Sequence, residues 1–146
     1  MKNIVFILFY IIFLYFDIKK KSISRNLLIA YFVIGVILNI INYKMINVDY
    51  LIDFIYSLSF GFVILVVSVL SGESIGKGDG IYFLINSLYI SFKYNLFLFV
   101  VGILTAFLIS IFLMIINNNK NIYKKSMPFV PFLIPGIIME VYLCIQ

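Results

Sequence analysis

The apolar stretch over residues 95–116 reads NLFLFVVGILTAFLISIFLMII, without one charged side chain. An α-helix rises about 1.5 Å per residue, so a stretch of this length can cross a hydrocarbon core of about 30 Å. Uninterrupted apolar runs of this kind are typical of transmembrane helices. We therefore expect lipid to be the main solvent of the fold.

The composition of the whole chain supports this interpretation. Of 146 residues, 64% are hydrophobic and 12% charged, and the mean hydropathy is +1.17. Soluble domains carry about a quarter charged residues, so a soluble globule is excluded. We predict a polytopic membrane protein with a single transmembrane domain over residues 1–146, and no nucleic-acid partner.

Further apolar segments lie on both sides of this run, and together they predict an all-α bundle of about six transmembrane helices. The segments cover residues 3–16, 27–42, 50–71, 80–92, 95–116 and 128–146. The first and fourth are shorter than the roughly 20 residues that a span requires. Each of these two adjoins an acid, Asp17 or Asp79. Short helices leave their ends below the headgroups, so both acids are expected in a sunken, wetted pocket.

The positive charges predict the orientation of the bundle. The loops 17–26, 72–79 and 117–127 fall on one side of a six-span arrangement and hold eight of the eleven basic residues: Lys19, Lys20, Lys21, Arg25, Lys77, Lys120, Lys124 and Lys125. By the positive-inside rule this side is cytoplasmic and both termini are external. We expect a multi-pass protein of the inner, cytoplasmic membrane whose basic loops contact anionic lipid.

The absence of histidine restricts the chemistry. With no His and a single Cys, Cys144, the chain cannot build a Ser-His-Asp triad, a Cys-His pair, an HExxH zinc site or a thiolate zinc cluster. Proton transfer must then use Asp, Glu, Lys, Tyr or water. We expect no metal and no cofactor.

The acids divide by their position. Asp49 and Asp53 lie four residues apart at the external start of the third segment, where like charges favour contact with water. Glu140 lies toward the external end of the last segment, and we interpret it as structural. Asp17 and Asp79 remain, both at the cytoplasmic face. Two carboxylates that meet share one proton, and such a pair can activate water for attack on a peptide carbonyl.

Glycines surround Asp79 in the sequence Gly76-Lys77-Gly78-Asp79-Gly80. Because glycine accepts a positive φ, we expect a flexible turn that lets an extended substrate approach the backbone beside Asp79. Glu73, just before the glycines, is a possible accessory residue.

Three motifs then resemble the type IV prepilin peptidases. The segment Asp17-Ile-Lys-Lys-Lys-Ser-Ile-Ser-Arg-Asn-Leu27 is similar to their first aspartate motif, and Gly76-Lys-Gly-Asp79 to their GxGD motif. The segment Pro128-Phe-Val-Pro131-Phe-Leu133 resembles the signature that opens their last helix. The three occur in the family's order and together span nearly the whole chain.

The resemblance implies an aspartic endopeptidase that removes the short basic leader from prepilins or pseudopilins at the cytoplasmic face. It implies that Asp17 and Asp79 are the catalytic pair, that Gly76 and Gly78 shape the loop, and that Pro128 and Pro131 position the last helix. Only about ten residues follow Phe16 before the second segment, where many bacterial members carry a cytoplasmic domain. A minimal peptidase without methyl transfer is therefore implied.

Two other classes remain open at this point. A Ser-Lys hydrolase could use Ser71 or Ser74 as the nucleophile with Lys77 as the base. A small transporter or a structural membrane subunit would use the acids for cations or for helix pairing.

Overall fold

A computed structural model describes residues 2–20, 23–41, 47–70, 76–116 and 128–145. The described residues form helices joined by turns, which confirms the predicted all-helical fold. In chain order the elements are α1 (Lys2–Lys20), α2 (Arg25–Ile41), α3 (Val48–Leu70), α4 (Lys77–Asn86), α5 (Phe92–Ile116), a 3₁₀ turn (Val130–Leu133) and α6 (Ile134–Ile145).

Two of these helices are long and apolar enough to cross a membrane. α3 has 23 residues and α5 has 25, and only 6% of the most apolar part of α5 is buried against the rest of the protein. At about 1.5 Å per residue both exceed a hydrocarbon core of about 30 Å. Their exposed surfaces are apolar on the outside of the fold, as expected for a protein whose surroundings are lipid.

α1 places one face against the other helices. Its buried residues are Phe6, Tyr10, Phe13 and Asp17, which follow one another at three- and four-residue intervals and so share a side of the helix. The sequence predicted that the apolar segment ends at Phe16, with Asp17 just beyond. The helix instead continues to Lys20, so Asp17 lies at the end of the buried face of α1.

α4 is a short helix in the interior of the fold. Its ten residues extend over about 15 Å, half of a hydrocarbon core, which agrees with the predicted shortness of this segment. The predicted boundaries 80–92 are wrong, however, because the helix begins at Lys77 and ends at Asn86. A buried turn over residues 87–90 follows, closed by the Tyr89 N–H donating to the Asn86 carbonyl at 2.9 Å.

Small residues on α3 allow α4 to pack closely. The buried residues of α3 are Ser57, Gly61, Ile64 and Ser68. A Cβ placed on Gly61 would lie 2.5 Å from the Cα of Leu84, closer than two carbons can approach. A Cβ on Gly80 would lie 2.9 Å from the Cα of Leu65. The contact between α3 and α4 therefore depends on glycine from both helices.

Polar contacts join the helices at the end where α1 begins. The Lys2 ammonium donates to Asn39 Oδ1 at 2.6 Å and to the Tyr50 hydroxyl at 2.5 Å. Asn39 Nδ2 in turn donates to the Leu88 carbonyl at 2.9 Å. This network connects the start of α1, the end of α2, the start of α3 and the turn after α4.

Asp53 has a structural role at the same end. Its carboxylate accepts the backbone N–H of Phe92 at 3.3 Å and so caps the N-terminus of α5, where a negative charge is favourable. The sequence predicted Asp49 and Asp53 to be alike in facing water. Asp49 is exposed, but for Asp53 the prediction missed the contact with α5.

Candidate active site

Asp17 is a buried carboxylate held by backbone donors. Its side chain is 3% exposed, and Oδ2 accepts the backbone N–H of Val130 at 2.9 Å. The residue lies in the polar end of α1, beyond the apolar run. Burial raises the pKa of Asp17, and hydrogen bonds from the N–H groups of Val130 and Phe129 oppose part of that rise. Those donors supply contacts that a buried carboxylate would otherwise lose with water.

The donors come from the segment that precedes α6. Val130 begins the 3₁₀ turn and is fully buried, and its carbonyl accepts the Tyr10 hydroxyl at 3.1 Å. On the other side of the turn, the Thr105 hydroxyl donates to the Phe132 carbonyl at 2.6 Å. The turn that supplies the donors to Asp17 is thus attached to both α1 and α5.

The prolines of this segment lie outside the regular helix. The resemblance implied that Pro128 and Pro131 position the last helix, in a segment that opens it. The structure places Pro131 at the start of the 3₁₀ turn, where its missing N–H sacrifices no helical hydrogen bond. Pro128 precedes the turn, and α6 begins only at Ile134.

Asp79 lies in the first turn of α4, before the apolar part of that segment. Its backbone N–H donates to the Gly76 carbonyl at 3.0 Å. Burial raises the pKa of Asp79 to about 7, and the negative charge of Asp17 contributes to the rise. The two acids, separated by 62 positions in the chain, therefore lie near enough for one charge to act on the other.

Ring contacts one turn away from the acids also bring α1 and α4 together. Phe13 lies four residues before Asp17, and Tyr82 lies three residues after Asp79. Their rings meet edge to face with centroids 5.3 Å apart. Residues at these spacings share a face of a helix, so the faces of α1 and α4 that carry the acids are turned toward each other.

The glycines around Asp79 serve packing and not a left-handed turn. The positive φ that these glycines permit is not adopted: Gly76 has φ −59° and ψ 132°, and Lys77 to Gly80 are helical. A Cβ on Gly76 would lie 2.8 Å from Asp79 Oδ2, so this glycine makes room for the carboxylate. At Gly78 the nearest neighbour would be Ile23 Cβ at 3.4 Å, an ordinary contact.

Other residues of interest were either missed or cannot be placed. The sequence reasoning did not find Tyr10 or Thr105, although Tyr10 lies seven residues before Asp17 on the same helix face. Glu73, Ser71 and Ser74 lie outside the described residues, so their roles remain predictions. Within the described part of the chain, no three His, Cys, Asp or Glu side chains cluster in a way that could hold a metal.

In a comparison with models of protein families, residues 4–117 match the type IV leader peptidase family. The chain belongs to the type IV leader peptidase family. The matched region contains Asp17, Gly76, Gly78 and Asp79 and ends before Pro128. Membership confirms the family that the sequence was expected to resemble. Comparisons with curated proteins and with solved structures each gave no significant match. Membership of a leader peptidase family supports a protease acting on prepilin-like substrates.

Proposed function

We propose that this leader peptidase is an aspartic endopeptidase in which Asp17 and Asp79 together activate water. The observation that carries the proposal is the packing of the faces of α1 and α4 that hold the two acids, where the Phe13 and Tyr82 rings meet with centroids 5.3 Å apart. The raised pKa of Asp79, to which the negative charge of Asp17 contributes, agrees with this packing. Two acids from distant parts of the chain converge, and neither carries a cation as its partner in the structure described. An uncompensated pair of this kind is costly to fold and is therefore a candidate for catalysis.

The surroundings of the two acids suggest a division of roles. Asp17 accepts backbone N–H groups, which favour its ionised form. Asp79 has its pKa raised to about 7, so it retains a proton near neutral pH. We assign Asp17 as the general base and Asp79 as the general acid, while the pair titrates as one unit.

The proposed reaction follows from these protonation states. Asp17 takes a proton from water as the water oxygen attacks the scissile carbonyl carbon, and Asp79 gives its proton to the carbonyl oxygen. The tetrahedral intermediate then breaks its C–N bond. The proton held by Asp17 passes to the departing amine, and Asp79 recovers a proton as the new carboxylic acid forms. No metal or cofactor takes part in the proposal.

We place this site at the cytoplasmic face of the inner membrane, in a six-segment bundle with external termini. The support is the location of eight of the eleven basic residues in three loops on that side. α4 with its buried turn leads from the acids back to the end where α5 begins. The proposed substrate is a prepilin or pseudopilin whose apolar helix lies in the bilayer and whose short basic leader lies in the cytoplasm.

The test is co-expression with a candidate prepilin-like protein, followed by determination of the N-terminal residue of the product. We expect a single new N-terminus between the basic leader and the apolar helix. Asp79→Asn should leave the substrate uncut at unchanged abundance of the enzyme. Asp49→Asn, an exposed acid at the other end of the fold, is the matched control and should cleave normally. Full cleavage by Asp79→Asn would exclude the proposal.

A further inference from the structure

The backbone of Val130 is contacted twice by the same helix. Its N–H donates to the Asp17 carboxylate at 2.9 Å, and its carbonyl accepts the Tyr10 hydroxyl at 3.1 Å. Asp17 and Tyr10 lie seven residues apart on α1, which is two helical turns or about 10.5 Å along the axis. The two peptide units that flank the Val130 Cα are therefore both oriented by α1.

We propose that Tyr10 is a positioning residue for Asp17: its hydroxyl holds the Val130 backbone in the orientation in which the Val130 N–H reaches the carboxylate. This inference rests on the proposed function, because it concerns the same site. Tyr10 would not touch the substrate. It acts through one residue of the 3₁₀ turn.

Burial makes the contact necessary. Tyr10 is 5% exposed and Val130 is fully buried, so no bulk water can replace the phenol at the Val130 carbonyl. A buried carbonyl that loses its donor is destabilised unless it turns toward another partner. Reorientation of that peptide would rotate the neighbouring N–H away from Asp17. Loss of the Tyr10 hydroxyl thus weakens the hydrogen bond from the Val130 N–H to the Asp17 carboxylate.

The charged and polar groups around Asp17 determine the direction in which its pKa should change. From α4, Asp79 opposes ionisation of the pair, and from the segment before α6 the N–H groups of Phe129 and Val130 favour it. The nearest cations on α1 point outward, with Lys19 over the Tyr15 ring and Lys20 over the Phe16 ring. Arg25 on α2 and Lys77 on α4 are exposed. Weakening the Val130 hydrogen bond should therefore raise the pKa of Asp17.

The test compares Tyr10→Phe with Tyr89→Phe. Tyr89 is also 5% exposed, and its hydroxyl also donates to a backbone carbonyl, that of Tyr31, but it lies in the turn after α4. The probe substrate is a short Lys/Arg-rich leader joined to an apolar helix. We expect Tyr10→Phe to lower kcat about three- to tenfold, the equivalent of one hydrogen bond, with KM unchanged. The acid limb of its pH profile should move to higher pH, and that of Tyr89→Phe should not.

A second measurement separates this inference from the proposed function. Aspartate labelled with ¹³C at the carboxyl carbon, in detergent-solubilised protein, reports the titration of Asp17, whose signal is assigned by its loss in Asp17→Asn. Tyr10→Phe should raise the Asp17 midpoint while Tyr89→Phe leaves it unchanged. If the Asp17 midpoint rises in Tyr10→Phe while the wild type cleaves the probe substrate no faster than its Asp17 and Asp79 variants, Tyr10 positions Asp17 as proposed, but the proposed function fails. An unchanged midpoint in Tyr10→Phe, or an equal change in both Tyr variants, would overturn the inference.

Discussion

The carboxylate of Asp17 accepts the backbone N–H of Val130 at 2.9 Å, although 113 positions separate the two residues in the chain. The contact joins the end of α1 to the 3₁₀ turn that precedes α6. Asp79 approaches the same place from the first turn of α4. Three segments that are remote in sequence therefore contribute to one site, and the effects of substitutions there should be coupled.

The first prediction concerns that coupling between the acids. Asp17→Asn and Asp79→Asn should each lower the rate of leader removal by on the order of 10³-fold or more, because members of a catalytic unit fail together. The double variant should remove the leader no more slowly than the less active of the two single variants. The rate of product formation with purified protein measures this. Multiplicative losses in the double variant would mean that the two acids act independently.

The second prediction is the pH dependence of cleavage. The proposed pair works with one proton, so the rate should fall at low pH, where both acids are protonated. It should fall again as the pH rises through about 7, where Asp79 loses its proton. Single-turnover rates across pH 4 to 9 should be bell-shaped. A rate that stays constant from pH 7 to 9 would contradict the role of Asp79 as the acid.

A third prediction concerns stability, for which the sign follows from the same shift. The pKa of Asp79 is raised from 3.8 in the reference state to about 7 in the fold. Its contribution to stability is fully present below pH 3.8 and is lost as the pH rises toward about 7, because the unfolded chain ionises first. Asp79→Asn removes this pH-dependent loss of stability, because asparagine does not ionise. Its Tm should exceed that of the wild type at pH 8 and approach it at pH 4, as thermal unfolding in detergent can measure.

The glycine motif provides a fourth prediction. Gly76→Ala would place a methyl group 2.8 Å from Asp79 Oδ2, so the carboxylate must move, and cleavage should fall at least about tenfold. Gly78→Ala adds the same group two residues further on, with an ordinary contact to Ile23, and should stay within about threefold of the wild type. Equal losses in both variants at equal protein abundance would show that the displacement of Asp79 is not the cause.

The fifth prediction tests the packing of α4. Gly61→Val should destabilise the protein by about 1–3 kcal/mol or more, because its Cβ would lie 2.5 Å from the Leu84 Cα. Ser59→Val introduces the same side chain on an exposed face of α3 and should change stability by less than about 0.5 kcal/mol. Unfolding in urea or by heat distinguishes the two variants. Equal stability of the pair would be inconsistent with the close contact between α3 and α4.

Much of the fold could be predicted because lipid imposes simple requirements on a sequence. Runs of apolar residues must form helices, since no other open structure satisfies the backbone in hydrocarbon. The sequence therefore located the helices, and the charges beside them singled out Asp17 and Asp79. The prediction placed both acids near helix ends, and the structure places them within the last turns of α1 and the first turn of α4.

The details of the site depend on contacts that no local pattern contains. Gly76 makes room for the Asp79 carboxylate, and Val130 donates its N–H to Asp17 on another helix. Neither contact can be read from the residues adjacent in sequence. From the sequence, the glycines suggested a flexible turn in which a positive φ is permitted, but glycine is also used where a Cβ would collide with a neighbouring atom, and this second reason applies to Gly76. Tyr10 was missed because its spacing from Asp17 also fits a plain core position.

Hydrogen bonds at both ends of α1 limit how a substrate can enter the protein. Lys2 ties its first turn to Asn39 and Tyr50, and Asp17 ties its last turn to Val130. Because α1 is held by hydrogen bonds at both ends, we expect it to stay in place when substrate enters. Entry should instead displace other segments of the chain. Spin-label pairs placed across the two attachments, beside Lys2 and Asn39 and beside Asp17 and Val130, should accordingly keep their separations when a leader peptide is added, and a change in either separation would refute this expectation.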